Sequence, residues 1–309
     1  MRALVISGGG AKGAFAGGLA EYLIKEEGKE YDLFLGTSTG SLLVTHLAIG
    51  QLDRLKKVFT SVTQNDVFDV CPFVLSKEAH LLKARINHWN VLWQFIKGKR
   101  TFGESCALRD LIARTLTKED FSTAKKGSKK VAVTVSNLTR NVVESKYLSD
   151  YDYEDFVDWI WCSCNMVPFM SLVEKNGFEY ADGGFGNLIP IQEAIASGAK
   201  EIDVIVLSPR HRIVHKKRNS NAFGVLLSAF DFMLDQIRYD DILMGHMEGI
   251  YNNIEVKFWH TPRMLTQNSF IFNPDIMKEW WQEGLEMGRE ISRTSMGDQI
   301  IPRFRSDAS

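Results

Sequence analysis

The stretch Leu33-Phe34-Leu35-Gly36-Thr37-Ser38-Thr39-Gly40, followed by the apolar segment Ser41 to Ile49, decides the fold. A short apolar run that enters a glycine and continues into a helical pattern predicts a strand, a sharp turn and a helix. Gly36 and Gly40 remove side chains where the strand and helix backbones crowd together. Ser38 would then project its hydroxyl clear of the sheet, beside a helix N-terminus that favours negative charge. We interpret Ser38 as a candidate nucleophile.

A similar unit precedes this one. Ala3 to Ile6 predicts a buried strand that enters a run of three glycines, and Gly13 to Glu27 predicts a helix that is capped by Gly28. Two successive strand–turn–helix units are typical of a parallel sheet covered by helices. We therefore predict an α/β fold with a mainly parallel central sheet.

The domain organisation is predicted to be simple, because 309 residues allow one large α/β domain or two modest ones. We assign residues 1–300 to a single catalytic domain and 301–309 to a loose C-terminal tail. Residues 61–128 show short helical patterns with aromatic and basic side chains, so we predict a mainly helical cap or insertion there. Further strands are predicted at 131–135, 141–147, 178–181, 202–207 and 254–259, and helices at 153–164, 190–196 and 274–291. Residues 223–250 are predicted to form one long helix or a broken pair of helices.

The composition excludes several classes of protein. The formal net charge is -1, so no global charge attracts nucleic acid. The apolar start of the chain is too short for a signal peptide, and no apolar run has the roughly 20 residues that a membrane span needs. Few cysteines and no zinc-ligand spacing indicate reduced thiols in a cytoplasmic protein without a metal or other cofactor. The cysteines are Cys71, Cys106, Cys162 and Cys164.

The glycine-rich loop Gly8-Gly9-Gly10-Ala11-Lys12-Gly13 allows two interpretations. Its backbone amides could form an oxyanion hole for the charge that develops on an acyl carbonyl oxygen. The same residues also match the GxGxxG fingerprint of dinucleotide-binding proteins, which requires an acidic residue at the end of the second strand. Here Asp32 lies before the second strand, which ends in the Ser38 turn, and this favours the oxyanion hole. Lys12 would then act electrostatically beside the loop.

A third motif, Asp182-Gly183-Gly184, follows the predicted strand at 178–181. Asp-Gly is a common turn dipeptide, so this motif by itself predicts only a turn. Two glycines after an aspartate also allow a close approach to another backbone. The motif gains weight because it follows the glycine loop and the Ser38 turn in the chain.

These three motifs, in this order, resemble those of the patatin-like phospholipases. The segments Cys162 to Phe169 and Asn187 to Pro190 are also similar to that family, although Asn165, Met166 and Val167 are bulkier than its usual small residues. The resemblance implies a three-layer α/β/α fold and a catalytic Ser-Asp dyad rather than a triad. Ser38 would attack the acyl carbonyl and Asp182 would act as the base.

The resemblance also assigns roles to the glycines of the motifs. An oxyanion hole is implied at Gly8, Gly9 and Gly10. A supporting role is implied for the remaining motif residues, Lys12, Gly13, Gly36, Gly40, Gly183 and Gly184. The implied activity is that of a lipid acyl hydrolase of the phospholipase A or lysophospholipase type.

Several alternatives remain open. A Ser-Asp-His triad would need a histidine downstream of Asp182, and the candidates are His211, His215, His246 and His260. An acyltransferase would use the same acyl-serine but pass the acyl group to an alcohol. A non-catalytic lipid-binding or effector module would keep the fold without the chemistry.

The expected partners are a phospholipid or other fatty acyl ester and, transiently, the surface of a membrane or micelle, which would make the protein peripheral at membranes. Residues 85–102 combine tryptophans with lysine and arginine, and residues 210–218 form a basic run. Either segment could contact lipid. The alternatives are a solvated basic loop at 210–218 and core positions for Trp89 and Trp93, which are at helical spacing.

Overall fold

The structure, a computed structural model, describes residues 1–78, 81–211, 222–266 and 268–294. In this part of the chain the main sheet has eight strands in the order β10-β9-β1-β2-β5-β8-β7, and β6 pairs with β5. Its strands are β1 (Arg2–Ile6), β2 (Leu33–Thr37), β5 (Lys130–Asn137), β6 (Val142–Tyr147), β7 (Val173–Lys175), β8 (Phe178–Asp182), β9 (Glu201–Pro209) and β10 (Glu255–Thr261). β10, β9, β1, β2 and β5 are parallel, and β6, β7 and β8 add antiparallel pairs.

Helices cover both faces of the sheet. They are α1 (Gly13–Glu21), α2 (Thr39–Ala48), α3 (Leu52–Phe59), α4 (Gln64–Val67), α5 (His88–Ile96), α6 (Cys106–Thr115), α7 (Lys118–Lys126), α8 (Tyr153–Ser163), α9 (Ile191–Ala196), α10 (Ala222–Tyr251) and α11 (Pro274–Thr294). None of the helices in the described ranges is long and apolar enough to cross a bilayer.

The alternation of side chains along β1 shows how the layers form. Leu4 and Ile6 belong to one buried cluster with α1, α2, α8 and α11, whereas Ala3 and Val5 belong to a second cluster with α9. Successive strand residues point to opposite faces, so a strand that is apolar throughout must be covered on both sides. The predicted three-layer α/β/α architecture with a mainly parallel sheet is confirmed.

The structure differs from the sequence prediction between residues 61 and 128. A two-stranded antiparallel hairpin, β3 (Phe73–Glu78) with β4 (Leu81–Ile86), lies among the helices there. Strands of six residues are too short for periodicity alone to separate them from helical turns.

The suggestion that Trp89 and Trp93 are core residues is wrong, because they are 73% and 55% exposed.

The strand register brings two distant segments together. β5 pairs in parallel with β2 up to Thr37, which lies opposite Thr134. Along its next residues β5 pairs in antiparallel fashion with β8, whose Asp182 lies opposite Val135. β2 and β8 therefore run toward each other along β5, and their C-terminal ends meet at neighbouring positions. The residues that follow β2, beginning with Ser38, are placed beside Asp182.

Candidate active site

Ser38 lies on a strained turn between β2 and α2. Its φ is 55° and its ψ is -124°, a conformation that L-residues rarely adopt. A Cβ at Gly40 would lie 2.2 Å from the carbonyl oxygen of Ile6, and a Cβ at Gly36 would lie 2.4 Å from the carbonyl carbon of Gly40. Both positions therefore need glycine for the strand and helix to approach this closely. The predicted strand–turn–helix geometry is present.

Side chains from the 162–169 segment support this turn. The amide of Ser38 donates to Ser163 Oγ at 3.0 Å, and the Cys164 thiol donates to the Ser38 carbonyl at 3.1 Å. Ser163 Oγ in turn donates to the carbonyl of Thr134 on β5 at 2.6 Å. The end of α8 therefore joins the Ser38 turn to the sheet and holds the strained backbone in place.

The glycine loop after β1 lies against the Ser38 turn. A Cβ at Gly8 would lie 3.2 Å from the Cβ of Ser38. The amide of Gly8 donates to the carbonyl of Leu188 at 3.1 Å. Among the described residues, the amides of Gly9 and Gly10 have no protein acceptor. Of the three predicted oxyanion amides, Gly8 is thus already engaged, and those of Gly9 and Gly10 are the available donors.

Close packing fixes the rest of the loop. Gly10 has a φ of +56°, and a Cβ there would lie 2.3 Å from the carbonyl oxygen of Ser269. A Cβ at Gly13 would lie 2.1 Å from the hydroxyl of Thr39 at the start of α2. Lys12 donates from Nζ to the carbonyl of Leu207 at 2.8 Å, which ties the loop to β9. Burial lowers the pKa of Lys12 to about 8, helped by repulsion from Arg238.

Asp182 is buried, with 1% of its surface exposed. Its Oδ1 accepts from the amide of Gly184 at 2.7 Å, and its own amide donates to the carbonyl of Asn165 at 2.9 Å. Within the described ranges its Oδ2 has no hydrogen-bond partner. Burial raises the pKa of Asp182 to about 7, against the opposing effects of Ser38 and the Gly184 amide. Although Ser38 is near enough to act on this pKa, its hydroxyl is not within hydrogen-bonding geometry of Oδ2.

The two glycines that follow Asp182, Gly183 and Gly184, permit its buried position. A Cβ at Gly183 would lie 2.3 Å from the carbonyl oxygen of Thr134, so the turn after β8 passes directly against β5. A Cβ at Gly184 would lie 2.8 Å from the side chain of Leu188. Because these two residues are glycines, the turn after β8 can lie directly against β5 and Leu188. This close packing fixes the position of Asp182.

A cavity of about 230 Å³ opens onto Ser38 and Asp182. Its walls are largely apolar and come from α2, α3, α6, α8, the segment after α8, and α10; they include Leu42, Leu55, Phe59, Leu108, Ile112, Ile160, Met166 and Leu227. Charged side chains of α10 and the glycine loop also line it, namely Lys12, Asp231, Asp235 and Arg238. A site that combines a serine hydroxyl and a carboxyl group with a largely apolar cavity fits a molecule that has a polar group and a hydrocarbon chain.

None of the histidines in the described residues is placed to form a triad with Ser38. Within the described ranges, His46 is the only histidine that lines the cavity, and it lies two turns along α2, about 12 Å from Ser38. Its ring nitrogens contact the backbone carbonyls of Leu42 and Thr115, each at 3.1 Å. Burial lowers the pKa of both His246 and His260, that of His260 to about 4.

Neither of these two histidines lines the cavity. His246 packs on Phe258 with ring centroids 4.4 Å apart, and His260 contacts the carbonyl of Ser208. Of the basic run 210–218, only Arg210 and His211 lie in the described residues, and His215 lies outside them. Within the same described part of the chain, no cluster of three or more histidine, cysteine, aspartate or glutamate residues could hold a metal ion.

The contribution of α10 to the site was not predicted from the sequence. Leu227, Leu234 and Arg238 line the cavity, and their spacing places them on one face of a helix. Further along, Asp241 Oδ2 accepts from the amide of Ile189 at 2.9 Å, which anchors α10 to the segment after the Asp182 turn. The sequence predicted helix at 223–250 but could not show what that helix covers.

Comparisons with known proteins identify similar sequences and a similar fold. The family model described as patatin-like phospholipase matches residues 4–195. A curated relative, the uncharacterized protein YjjU of Escherichia coli K12, is 26% identical over 212 residues, covering 67% of this chain and 52% of YjjU. The chain therefore spans about half the length of that relative.

The crystal structure of VipD from Legionella pneumophila has the same fold, with a TM-score of 0.51 at 14% identity. The similarity covers 95% of this chain and 67% of VipD. The family match extends over more than half of the chain and includes all three motifs. The chain belongs to the patatin-like phospholipase family.

Proposed function

We propose that this protein is a lipid acyl hydrolase of the phospholipase A or lysophospholipase type, with Ser38 as nucleophile and Asp182 as base. One observation carries the proposal. The ends of β2 and β8 meet along β5, so a serine on a strained turn lies beside a buried aspartate at the mouth of an apolar cavity.

The pKa of Asp182 fits the role of a base. An ordinary aspartate has a pKa near 4 and binds a proton too weakly to activate a serine efficiently. Because burial raises the pKa of Asp182 to about 7, its carboxylate holds a proton more tightly and is still available at neutral pH. Its Oδ2, without a partner among the described residues, is free to accept the Ser38 proton.

The reaction would proceed in two steps. Ser38 Oγ attacks the acyl carbonyl carbon while its proton passes to Asp182 Oδ2, and the leaving alcohol then takes that proton, which leaves an acyl-serine. In the second step Asp182 takes a proton from water, the resulting hydroxide attacks the acyl-serine, and the fatty acid leaves as Ser38 is reprotonated. The amides of Gly9 and Gly10 would stabilise the oxyanion in both steps, and Gly8 would position them through Leu188.

An acyltransferase remains the second candidate, since an alcohol could replace water in the second step. A non-catalytic module is less well supported, because the strain at Ser38 and the buried charge of Asp182 both cost stability without serving the fold. A histidine-dependent triad is disfavoured by the positions of His46, His246 and His260.

The experiment is turnover of long-chain esters and of a mixed phospholipid extract by the full chain, with released fatty acids measured by mass spectrometry. Ser38→Ala and Asp182→Asn should each lower turnover at least about 10³-fold. Ser61→Ala, an exposed serine at the end of α3, is the matched control and should retain full activity. His246→Gln should also retain most of it.

Two results would contradict the proposal. If Ser38→Ala keeps its turnover, the nucleophile is wrong; if His246→Gln is as damaging as Ser38→Ala, the aspartate is not the direct base. Adding glycerol or a lysophospholipid as acceptor separates the two enzyme classes, because an acyltransferase would form acylated acceptor at the expense of free fatty acid.

A further inference from the structure

One side of α5 is apolar and faces solvent. Trp89, Leu92, Trp93 and Ile96 are 73%, 49%, 55% and 64% exposed. Their spacing of three, four and seven residues places all four on one face of the helix. A helix of a globular protein ordinarily buries such a face against the core. Here the apolar face points outward, and large exposed apolar patches mark sites of interaction.

The first half of α10 has two apolar faces. Leu227 and Leu234 on the inner face line the cavity above Ser38 and Asp182. On the outer face, Val225, Phe232 and Met233 are 55%, 64% and 46% exposed. This part of α10 therefore forms a wall of the cavity with one face and an exposed apolar surface with the other.

Aromatic contacts connect α5 to the start of α10. Phe95 on α5 packs edge-on against Phe102 with ring centroids 5.9 Å apart, and Phe102 packs against Phe223 at the same distance. Phe223 lies in the first turn of α10. The two helices with exposed apolar faces are thus linked through Phe102, and one of them, α10, also forms a wall of the cavity.

We propose that these two apolar faces are the surface with which the protein docks on a lipid bilayer. We define the docking surface as Trp89, Leu92, Trp93 and Ile96 of α5 with Val225, Phe232 and Met233 of α10. The inference rests on the proposed function, because a lipid ester with long chains reaches the enzyme from a membrane. An apolar surface that shares a helix with the cavity wall would bring the cavity to the place where such a substrate lies.

The side-chain types favour a bilayer over a protein partner. Tryptophans with adjacent lysines, as at Trp93 and Lys97, are typical of helices that lie in the interface between lipid and water. Two described cations that follow α5 are neutralised: Lys99 pairs with Glu104 at 3.0 Å, and Arg100 pairs with glutamates on β7 and β8. These two cations should therefore add little attraction for anionic lipid, and we expect α5 to bind mainly through its apolar face.

The test is co-sedimentation of the full chain with sucrose-loaded vesicles of phosphatidylcholine, alone or with phosphatidylglycerol. The Ser38→Ala background is used so that the lipid is not consumed. Replacing Trp89 and Trp93 together by alanine should weaken partitioning onto both kinds of vesicle by about tenfold or more. The double variant Phe232→Ser/Met233→Ser tests the α10 half and should also weaken it.

A matched control comes from the other end of α10. Ile250 and Tyr251 are 81% and 89% exposed but lie outside the docking surface. Ile250→Ser/Tyr251→Ser should bind vesicles as the parent does. In the Ser38-containing protein, the tryptophan variant should lower the ratio of vesicle turnover to turnover of a soluble short-chain ester.

Three results would overturn the docking surface. The first is that the tryptophan variant binds vesicles as well as the parent, and the second is that the Ile250/Tyr251 control loses as much binding as the tryptophan variant. The third is that the variants change only the oligomeric state in size-exclusion chromatography, which would make this region a contact between copies of the chain. Because vesicle binding is measured without turnover, failure of the proposed hydrolase activity is distinguishable from failure of the docking surface.

Discussion

The backbone amide of Ser38 donates a hydrogen bond to Ser163 Oγ at 3.0 Å. Ser163 is the last residue of α8, and its hydroxyl also donates to the carbonyl of Thr134 on β5. A side chain far along the chain thus joins the candidate nucleophile to the strand on which β2 and β8 meet. Ser163 touches no reacting atom, so its role is to position Ser38.

The first prediction concerns this support. Ser163→Ala leaves the buried amide of Ser38 without an acceptor, which should cost about 1–3 kcal/mol of stability. Since the strained turn loses its anchor, kcat should fall about tenfold or more with little change in KM. The matched control is Ser171→Ala, because Ser171 Oγ accepts from the buried amide of Ser105 at 2.9 Å but lies away from the turn. Equal loss of kcat in both variants would assign Ser163 a purely structural role.

The second prediction concerns pH. Because Asp182, as the proposed base, must be deprotonated to accept the Ser38 proton, kcat/KM should rise with pH and level off above a pKa of about 7. Asp241 is a possible confounder, since burial raises its pKa to about 7 as well. Asp241→Asn can still accept from the amide of Ile189, so its profile should keep the same inflection. A profile that becomes flat in this variant would assign the titration to Asp241.

The third prediction concerns the stability cost of the site. An aspartate whose folded pKa lies above its unfolded value binds protons more tightly when folded, so its burial destabilises the fold progressively between about pH 4 and pH 7. Asp182→Asn removes the charge and should raise the free energy of unfolding by about 3–4 kcal/mol at pH 8.5, with little effect near pH 4. Denaturant unfolding at both pH values measures this. A gain that does not depend on pH would show that ionisation of Asp182 is not the cause.

The fourth prediction distinguishes two reasons why glycine is needed in the glycine loop, a positive φ and a close contact, by comparing Gly10 with Gly28 outside the loop. Gly10 and Gly28 have φ values of +56° and +68°, but a Cβ would meet Ser269 only at Gly10, since nothing lies within 4 Å of one at Gly28. Gly28→Ala should cost about 1 kcal/mol and keep full activity. Gly10→Ala should displace the loop and lower kcat by about a hundredfold or more. Circular dichroism and ester turnover of both variants check this.

Local sequence patterns predicted most of the elements close to their observed bounds. The long helix or broken pair predicted at 223–250 is observed as one helix, Ala222–Tyr251, and the strand predicted at 202–207 is observed as Glu201–Pro209. Its length marks the helix, and a short, mainly apolar run bounded by turn residues marks the strand. The strands β3, β4 and β7 were not predicted. They have six, six and three residues, which leaves little periodicity to detect.

At the candidate site, local sequence patterns predicted some features but not others. A glycine two residues from Ser38 on each side predicts the turn from sequence, because the crowding it relieves is local. The chain order of the three motifs indicated the family. Nothing local, however, distinguishes the amide of Gly8, which donates to Leu188, from those of Gly9 and Gly10, since Leu188 is distant in sequence.

The sequence by itself determined the α/β architecture, the turn at Ser38 and the residue types available for acyl chemistry, because these depend on periodicity and backbone sterics within short segments. Only the tertiary structure decided that Ser38 and Asp182 meet, since this requires β5 to pair with β2 along one part and with β8 along the next. It also decided the pKa of Asp182, because burial is a property of everything packed around a side chain and not of its neighbours in the chain.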